Sequence, residues 1–220
     1  MVSIIIPACN EEMYLENTLK SIKNQNFKNH EIIVVCDGCT DNTEKIAKKY
    51  KTKIVNLKER TGPANAKNKG VEKADYNKLV FLDADTLLSE GILNNIDKIL
   101  NSEKEIIGTC IIKPSNRKLK HKIAMSIKNT FFCPLGKSNG IIFCKKSTFE
   151  KFKGFNNSLK QAEDWDFVRR IKKQGKYIIL KNPVISSTRR FEEKGYTYTT
   201  VYWIKQMLKP KLDKDYEIIR

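Results

Sequence analysis

The chain has 220 residues, of which 40% are hydrophobic and 30% are charged, as is typical of a soluble globular domain. This composition excludes a disordered or fibrous protein, and the lack of any run of about eighteen apolar residues excludes a membrane-spanning helix. The N-terminus enters a predicted strand at Val2 without a basic leader, so we expect no secretory signal.

The 42 Lys and Arg outnumber the 25 Asp and Glu and give a net charge of +17, which is typical of nucleic-acid-binding proteins. Only seven of these cations are Arg, however, and the Lys are spread through every segment without interleaved aromatic residues. We therefore predict no nucleic-acid partner. We expect the charge to favour anionic phosphates or an anionic membrane face.

Six Cys are present, and Cys36 and Cys39 have the spacing of metal ligands. No second Cys pair follows, and the only two His are His30 and His121. We therefore expect reduced thiols, no zinc site and a cytoplasmic protein.

The first fifty residues predict two strand–loop–helix units. An apolar strand over residues 2–7 leads into an amphipathic helix, for which Asn10 is the predicted cap. A second apolar strand over residues 31–36 leads into a polar loop, in which Asp41 is the predicted cap of a helix ending near Tyr50. Two such units imply parallel strands joined by right-handed crossovers.

Asp37 follows the second strand and precedes a Gly, where it is placed to accept a hydrogen bond from a nucleobase or ribose. A third strand is predicted over residues 53–57. A Gly-Pro loop then leads into a helix of small residues that ends at Gly70. Such a helix can bring its cations close to a phosphate-bearing ligand.

The strand predicted over residues 78–82 is apolar enough to be buried on both faces, and Asp83-Ala84-Asp85 follows it directly. Ligands of open α/β sheets collect at the carboxyl ends of the strands. The two carboxylates are therefore placed to hold a divalent cation and, through it, a diphosphate. The alternative is that Asp83 and Asp85 cap a helix beginning near Ser89.

Four tracts in this order resemble the motifs of the family 2 glycosyltransferases, which are inverting enzymes of the GT-A fold that use nucleotide sugars. The tracts are residues 4–11, residues 37–43, residues 62–70 and Asp83-Ala84-Asp85. In the third tract, Lys67 stands where the family has Arg, which keeps the charge but loses the bidentate geometry. The resemblance implies a mixed, mainly parallel α/β sheet flanked by helices, with a C-terminal helical extension.

The resemblance also implies roles for single residues. Asp83 and Asp85 would bind Mg²⁺ or Mn²⁺ beside the donor diphosphate. The residues expected to contact the nucleotide are Pro7, Ala8, Asn10, Glu11, Asp37, Gly62, Lys67, Asp83 and Ala84.

The second half of the chain begins with a strand predicted over residues 105–113, a basic stretch to Lys128 and an apolar segment over residues 131–136. This region suits a lipid-phosphate acceptor or a membrane surface, or else it is an ordinary helix packed on the core. Residues 138–145 resemble the family's strand that closes over the donor diphosphate. That resemblance implies that Asn139 and Gly140 belong to the acceptor pocket.

A helix is predicted to begin near Ala162, and the three carboxylates of its first turn suit the helix dipole. Glu163-Asp164 also resembles the Glu-Asp pair of the family, in which the Asp is the general base. The resemblance implies that Asp164 takes the proton of the acceptor hydroxyl, while Glu163 and Trp165 shape the acceptor pocket.

After a strand predicted over residues 177–180, a Ser-x-x-Arg-Arg tract resembles one found in small members of the family. It implies that Arg189 or Arg190 grips the departing diphosphate. We expect a GT-A domain over residues 1–195, with a nucleotide-binding half (1–100) and an acceptor half (101–195). Residues 196–220 are expected to form a helix and a charged tail.

The predicted function is metal-dependent transfer of a sugar, with inversion, from a UDP- or GDP-linked donor to a hydroxyl or a lipid phosphate. The predicted location is the cytoplasm. Contact with the inner face of the cell membrane and formation of a homodimer are both left open. Two alternatives remain, a nucleotidyltransferase and a non-catalytic basic binding protein on the same fold. A nucleotidyltransferase normally has a Gly-rich, Arg-containing loop where this chain has residues 8–11.

Overall fold

A computed structural model describes residues 1–102, 104–159, 161–199 and 201 of the chain. Within these residues the strands are β1 (Val2–Ala8), β2 (His30–Asp37), β3 (Lys53–Leu57), β4 (Lys78–Leu82), β5 (Thr86–Leu88), β6 (Ile106–Pro114), β7 (Ile141–Lys145) and β8 (Lys176–Ser186). The helices are α1 (Leu15–Lys23), α2 (Thr43–Lys49), α3 (Pro63–Glu72), α4 (Ile92–Ile99), α5 (Leu119–Ile127), α6 (Lys146–Lys151), α7 (Glu163–Lys172) and α8 (Arg189–Lys194). A π-helical turn, Lys128–Phe132, continues α5.

The strands form one mixed sheet in the order β3-β2-β1-β4-β7-β6-β8-β5. The first four strands in that order are parallel, as the two predicted strand–loop–helix units require. Strand β7 is antiparallel to both β4 and β6, while β6 and β8 are parallel. The carboxyl ends of β1, β2 and β4 therefore lie at one edge of the sheet, where their loops meet.

Helices cover both faces of the sheet. The apolar sides of α1, α4 and α5 pack on one face, with Leu15, Ile92 and Met125 among their buried residues. The other face carries α3, α6 and α7. Helix α3 approaches the sheet closely at Gly70, where an added Cβ would lie 2.3 Å from the Cγ2 atom of Ile5. The small residues of this helix are what allow that contact.

The predicted strands are present, with boundaries that differ by a few residues, and β8 is longer than predicted. The alternative in which Asp83 and Asp85 cap a helix is wrong. The short strand β5, which the sequence did not predict, follows these acids, and α4 begins only at Ile92 after the left-handed Gly91. Tertiary pairing of β5 with β8 decides the conformation of this segment.

The predicted C-terminal helix falls mostly outside the described residues. Residues 196–199 are helical, and the charged tail lies beyond the described part of the chain. Among the described residues, no helix has both the length and the apolar character needed to cross a bilayer.

Candidate active site

The loops after β1 and β2 are tied together by side-chain hydrogen bonds. Asn10 does not cap α1, as the sequence predicted, because that helix begins at Leu15 with Tyr14 at its N-cap. Asn10 instead has a left-handed backbone (φ 56°), and its Oδ1 atom accepts a bond of 2.8 Å from the backbone N–H of Thr40. The Sγ atom of Cys39 donates to the carbonyl of Ala8 over 3.3 Å, so this thiol helps to hold the two loops together.

Asp37 organises the loop that precedes α3. One oxygen of its buried carboxylate accepts bonds from the backbone and hydroxyl of Thr61, at 2.7 and 2.8 Å, and the other accepts 2.8 Å from the backbone N–H of Gly62. Gly62 needs its positive φ of 97° to enter the helix. Asp37 therefore fixes the start of α3.

The Asp83-Ala84-Asp85 tripeptide is anchored by its backbone. The carbonyl of buried Ala84 accepts 2.7 Å from the hydroxyl of Thr18, and the N–H of Asp83 donates 2.9 Å to the carbonyl of Gly140. Gly140 is required at this position, because an added Cβ would lie 2.5 Å from the Oγ1 atom of Thr86. Both carboxylates remain partly accessible at the end of β4.

Arg189 joins the first loop to this tripeptide. Its two terminal nitrogens lie 3.1 and 3.0 Å from the two carboxylate oxygens of Glu11, and one of them lies 3.1 Å from Asp85. Its guanidinium also stacks 4.4 Å above the ring of Tyr14. Burial opposes the charge, but the bond to Glu11 and the charge of Asp85 outweigh it and raise the pKa of Arg189. The side chain of Arg190 lies outside the described part of the structure.

Asp83 and Asp85 fit a divalent cation by their chemistry. They offer carboxylate oxygens, the ligands that Mg²⁺ and Mn²⁺ prefer, at a partly accessible strand end. The contact between Asp85 and a guanidinium shows that the position favours positive charge. Within the described residues no three His, Cys, Asp or Glu form a metal-ligand group, so a cation there would take its other ligands from water or from a bound molecule.

A second cluster lies at the start of α7. The buried ammonium of Lys67 on α3 pairs with Glu163 at 2.8 Å and also with Asp164, and the hydroxyl of Ser138 donates 2.6 Å to the other oxygen of Asp164. Burial opposes the charge of Lys67, but the carboxylates of Asp164, Glu163 and Asp83 outweigh it and raise its pKa. Residues 138–140 link this cluster to the Asp83-Ala84-Asp85 tripeptide, because Ser138 donates to Asp164 and the carbonyl of Gly140 accepts from the N–H of Asp83.

Burial also acts on the two other ionisable groups beside Asp164. It raises the pKa of Glu163, against the opposing charge of Lys67. It lowers the pKa of Lys137 to about 8, although the charges of Asp164 and Glu163 act in the opposite direction. The ammonium of Lys137 lies 5.3 Å from the centre of the Trp165 ring. Asp164 therefore lies among two amines, a carboxyl group and a hydroxyl.

The predicted acceptor residues do not all face the same space. Trp165 is half-buried, and its indole N–H donates 3.3 Å to the carbonyl of Leu135. Asn139, in contrast, is fully buried and donates 2.8 Å to the carbonyl of Cys110. It braces the chain that enters β7.

The structure thus brings Glu11, Asp85 and Arg189 into one cluster and Lys67, Glu163 and Asp164 into another. Sequence reasoning missed four residues of these clusters: Tyr14, Thr18, Lys137 and Ser138. None of them has a local signature, because each acts through a partner that is distant in sequence or on another element.

The comparisons with known proteins agree with this architecture. The family profile described as "Glycosyl transferase family 2" matches residues 3–156. The Bacillus subtilis minor teichoic acid biosynthesis protein GgaB is 30% identical over 191 residues, which cover 79% of this chain but 21% of that protein. The Campylobacter jejuni GalNAc(5)-diNAcBac-PP-undecaprenol beta-1,3-glucosyltransferase is 32% identical over 119 residues, 51% of this chain and 38% of the enzyme. The chain thus spans less than two fifths of either relative.

Solved structures match the fold. Staphylococcus aureus TarS 1-349 in complex with UDP-GlcNAc superposes with a TM-score of 0.70 at 21% identity, covering 86% of this chain and 58% of that one. The mannosyltransferase PcManGT from Pyrobaculum calidifontis, in complex with GDP-Man and Mn²⁺, has a TM-score of 0.72 at 21% identity, with coverages of 97% and 66%. The family and fold expected from the sequence are therefore confirmed: the chain belongs to glycosyl transferase family 2 and holds the glycosyltransferase domain of that family on a GT-A fold.

Proposed function

We propose that the protein transfers a sugar from a nucleotide-diphosphate donor to an acceptor hydroxyl or lipid phosphate, with inversion at the anomeric carbon. The observation that carries this proposal is that two clusters of different chemistry lie next to each other. One presents Arg189, Asp85 and Glu11 at the carboxyl ends of the strands, and the other presents Asp164 beside Lys67. Such an arrangement suits a diphosphate on one side and a base on the other.

The donor would lie across the loops after β1, β2 and β4. Pro7 and Ala8 end β1, and Asn10 lies in the loop after it. Asp37 and Gly62 would form the second wall, so the nucleoside would rest between the two. A divalent cation held by Asp83 and Asp85, Mg²⁺ or Mn²⁺, would neutralise charge on the diphosphate. Arg189 would add a fixed positive charge beside it. The similar solved structures of TarS and PcManGT hold a UDP-linked and a GDP-linked sugar, which supports either nucleotide in the donor.

Asp164 would accept the proton of the attacking hydroxyl. Its carboxylate is oriented by Ser138 on one oxygen and by Lys67 on the other, which holds it in one position. Glu163 shares the Lys67 ammonium, and the half-buried Trp165 offers an apolar wall for an acceptor. If the acceptor is a phosphate, it is already ionised and the base matters less. The name of the Campylobacter relative includes PP-undecaprenol, which supports a lipid-linked acceptor.

The decisive experiment is thermal unfolding with a panel of UDP- and GDP-linked sugars, each with Mn²⁺, Mg²⁺ or a chelator. A true donor binds the folded state, so it raises the melting temperature by mass action. We expect at least one nucleotide sugar to do so, with a larger rise in the presence of metal.

The matched variants are Asp85→Asn and Asp75→Asn. The first removes a proposed metal ligand and should abolish the metal-dependent part of the rise. The second changes an exposed carboxylate that pairs with Lys53 and should leave the rise intact. If no nucleotide sugar raises the melting temperature with or without metal, the proposed function is wrong.

A further inference from the structure

Helix α5 and the turns that follow it expose five large apolar side chains. This apolar stripe consists of Leu119, Ile123, Ile127, Phe131 and Leu135, whose exposed fractions lie between 41% and 70%. The residues recur every four positions, and in an α-helix this spacing drifts by only about 40° per step. The first three therefore share one face of α5, and Phe131 and Leu135 follow in the π-helical turn and in the turn after it.

The opposite face of α5 is anchored in the domain. His121 and Met125 are buried, and the ring of His121 lies 5.7 Å from Phe191 and 5.4 Å from Tyr196. The rotation of α5 about its axis is thus fixed by packing. Exposure of the stripe is a consequence of the fold, since the helix already has a buried side of its own.

The chain segment that carries the stripe has charge of one sign, and the acid that meets its start is Glu192 of α8, 3.3 Å from Lys118. No Asp or Glu occurs between Glu105 and Glu150, whereas this interval has nine Lys and Arg. Lys120 and Lys122 are exposed and lie on either side of the apolar face, roughly 60° and 100° from its centre at 100° per residue. Long Lys stems can cover apolar surface while their ammonium groups reach an anionic layer.

Both ends of this region contact the two clusters of the candidate active site. Near the start of α5, the amide of Asn116 donates 2.8 Å to the hydroxyl of Thr188, the residue before Arg189. At the other end, the carbonyl of Leu135 accepts 3.3 Å from the indole of Trp165, which adjoins Asp164. The segment that carries the stripe therefore contacts the residue before Arg189 at one end and the residue after Asp164 at the other.

We propose that the apolar stripe and its flanking Lys residues dock on the surface of an anionic lipid bilayer. An amphipathic helix with apolar residues on one face and cations at its margins binds in the interfacial layer, with its axis along the membrane plane. Docking in this orientation brings the Trp165 side of the site to the lipid headgroups. The use of that position to receive a lipid-linked acceptor rests on the proposed function, but the docking itself does not.

The test is sedimentation of the whole chain with vesicles of phosphatidylcholine alone or mixed in equal parts with phosphatidylglycerol. We expect binding to the anionic vesicles that weakens with added salt, and much weaker binding to the neutral ones. The variant Ile123→Ser/Phe131→Ser removes apolar contact, and Lys120→Glu/Lys122→Glu reverses the flanking charge. Each should weaken anionic vesicle binding by about tenfold or more.

Two controls separate the stripe from the general basicity of the chain. Lys45→Glu changes an exposed cation on α2, at the other end of the sheet, and Met13→Ser removes an exposed apolar side chain outside the stripe. Both should bind vesicles like the wild type. Circular dichroism melting of every variant checks that it folds, as surface changes on an exposed face should allow.

The proposal is overturned if the wild type fails to sediment with anionic vesicles, or if the stripe variants bind as well as the controls. It is also overturned if sedimentation velocity without lipid shows a dimer that Ile123→Ser/Phe131→Ser dissociates, because the stripe would then bind a second copy. Donor-induced stabilisation is measured on the same samples. A wild type that fails to bind vesicles but is stabilised by a donor counts against docking alone, whereas a wild type that no nucleotide sugar stabilises counts against the proposed function.

Discussion

The ammonium of Lys67 on α3 pairs with the carboxylate of Asp164 on α7, and this pair joins two helices that are 97 positions apart in the chain. The exposed fraction of the Lys67 side chain is 3% and that of Asp164 is 19%, so the pair is well shielded from water. Glu163 shares the same ammonium at 2.8 Å. One cation thus holds both members of the predicted Glu-Asp pair.

Replacing Lys67 by Met should lower the free energy of unfolding by about 3 kcal/mol, because Glu163 and Asp164 would be left without their buried counter-charge. Urea denaturation measures the loss. In a Glu163→Gln background the same replacement should cost less, since one buried carboxylate is already neutral. Lys69→Met is the control, because its pair with Glu72 is exposed and should contribute less than about 1 kcal/mol. Equal costs at the two positions would contradict a structural role for the buried pair.

Replacing Asp164 by Asn should slow transfer to hydroxyl acceptors by about 10²- to 10⁴-fold while donor-induced stabilisation persists, because the proton acceptor is lost whereas Glu163 still pairs with Lys67. Rates with a hydroxyl acceptor and melting curves with the donor provide the two readouts. Asp166→Asn is the matched control, since Asp166 stands in the same first helical turn but pairs with Arg170 at 2.8 Å. If both variants lose transfer activity equally, the acids only stabilise the positive end of the helix dipole, and Asp164 is not the base.

Replacing Gly140 by Ala should lower stability by about 2–3 kcal/mol, because the new Cβ meets Thr86 and the backbone has a φ of +80°. It should also weaken donor stabilisation, since the carbonyl of Gly140 holds the N–H of Asp83. Gly91→Ala separates the two causes: its φ is +75°, but an added Cβ meets nothing within 4 Å. We expect a cost of about 1 kcal/mol there, measured by the same denaturation experiment. A cost at Gly140 no larger than at Gly91 would exclude the clash.

The stability difference between the wild type and Lys137→Met should depend on pH. At pH 7 Lys137 is protonated in the folded and unfolded states, so the cost of burying its charge is fully present. The pKa of Lys137 is lowered from 10.5 to about 8 in the folded state, so the folded protein releases its proton first as the pH rises. Between these two values the wild type should therefore gain stability relative to the variant, by up to about 3 kcal/mol.

Denaturant unfolding of both proteins at pH 7 and pH 10 measures this change, and other titrating groups cancel in the difference. Lys45→Met, at an exposed position, is the comparison variant. If the stability difference between the wild type and Lys137→Met is the same at pH 7 and pH 10, the folded state does not bury a charged amine at this position.

The sequence alone determined the family, the fold class and the positions of the principal strands along the chain. Apolar runs such as residues 31–36 and 78–82 predict buried strands because burial of a strand on both faces requires local apolarity. The four short tracts identified the loops that meet at the carboxyl ends of those strands. These features depend on neighbours in the chain, so they can be read from it.

Tertiary structure decided which of those loops and helices touch. Arg189 binds Glu11 across 178 positions, and no local pattern could have chosen it as the partner of Asp85 or shown that Asn139 is buried against Cys110. The same applies to Asn10, which bonds to Thr40 because the fold brings the two loops together, although its place in the chain suggests a helix cap. Side-chain roles of this kind depend on the packing of distant elements, and packing fixes them only when the sheet has formed.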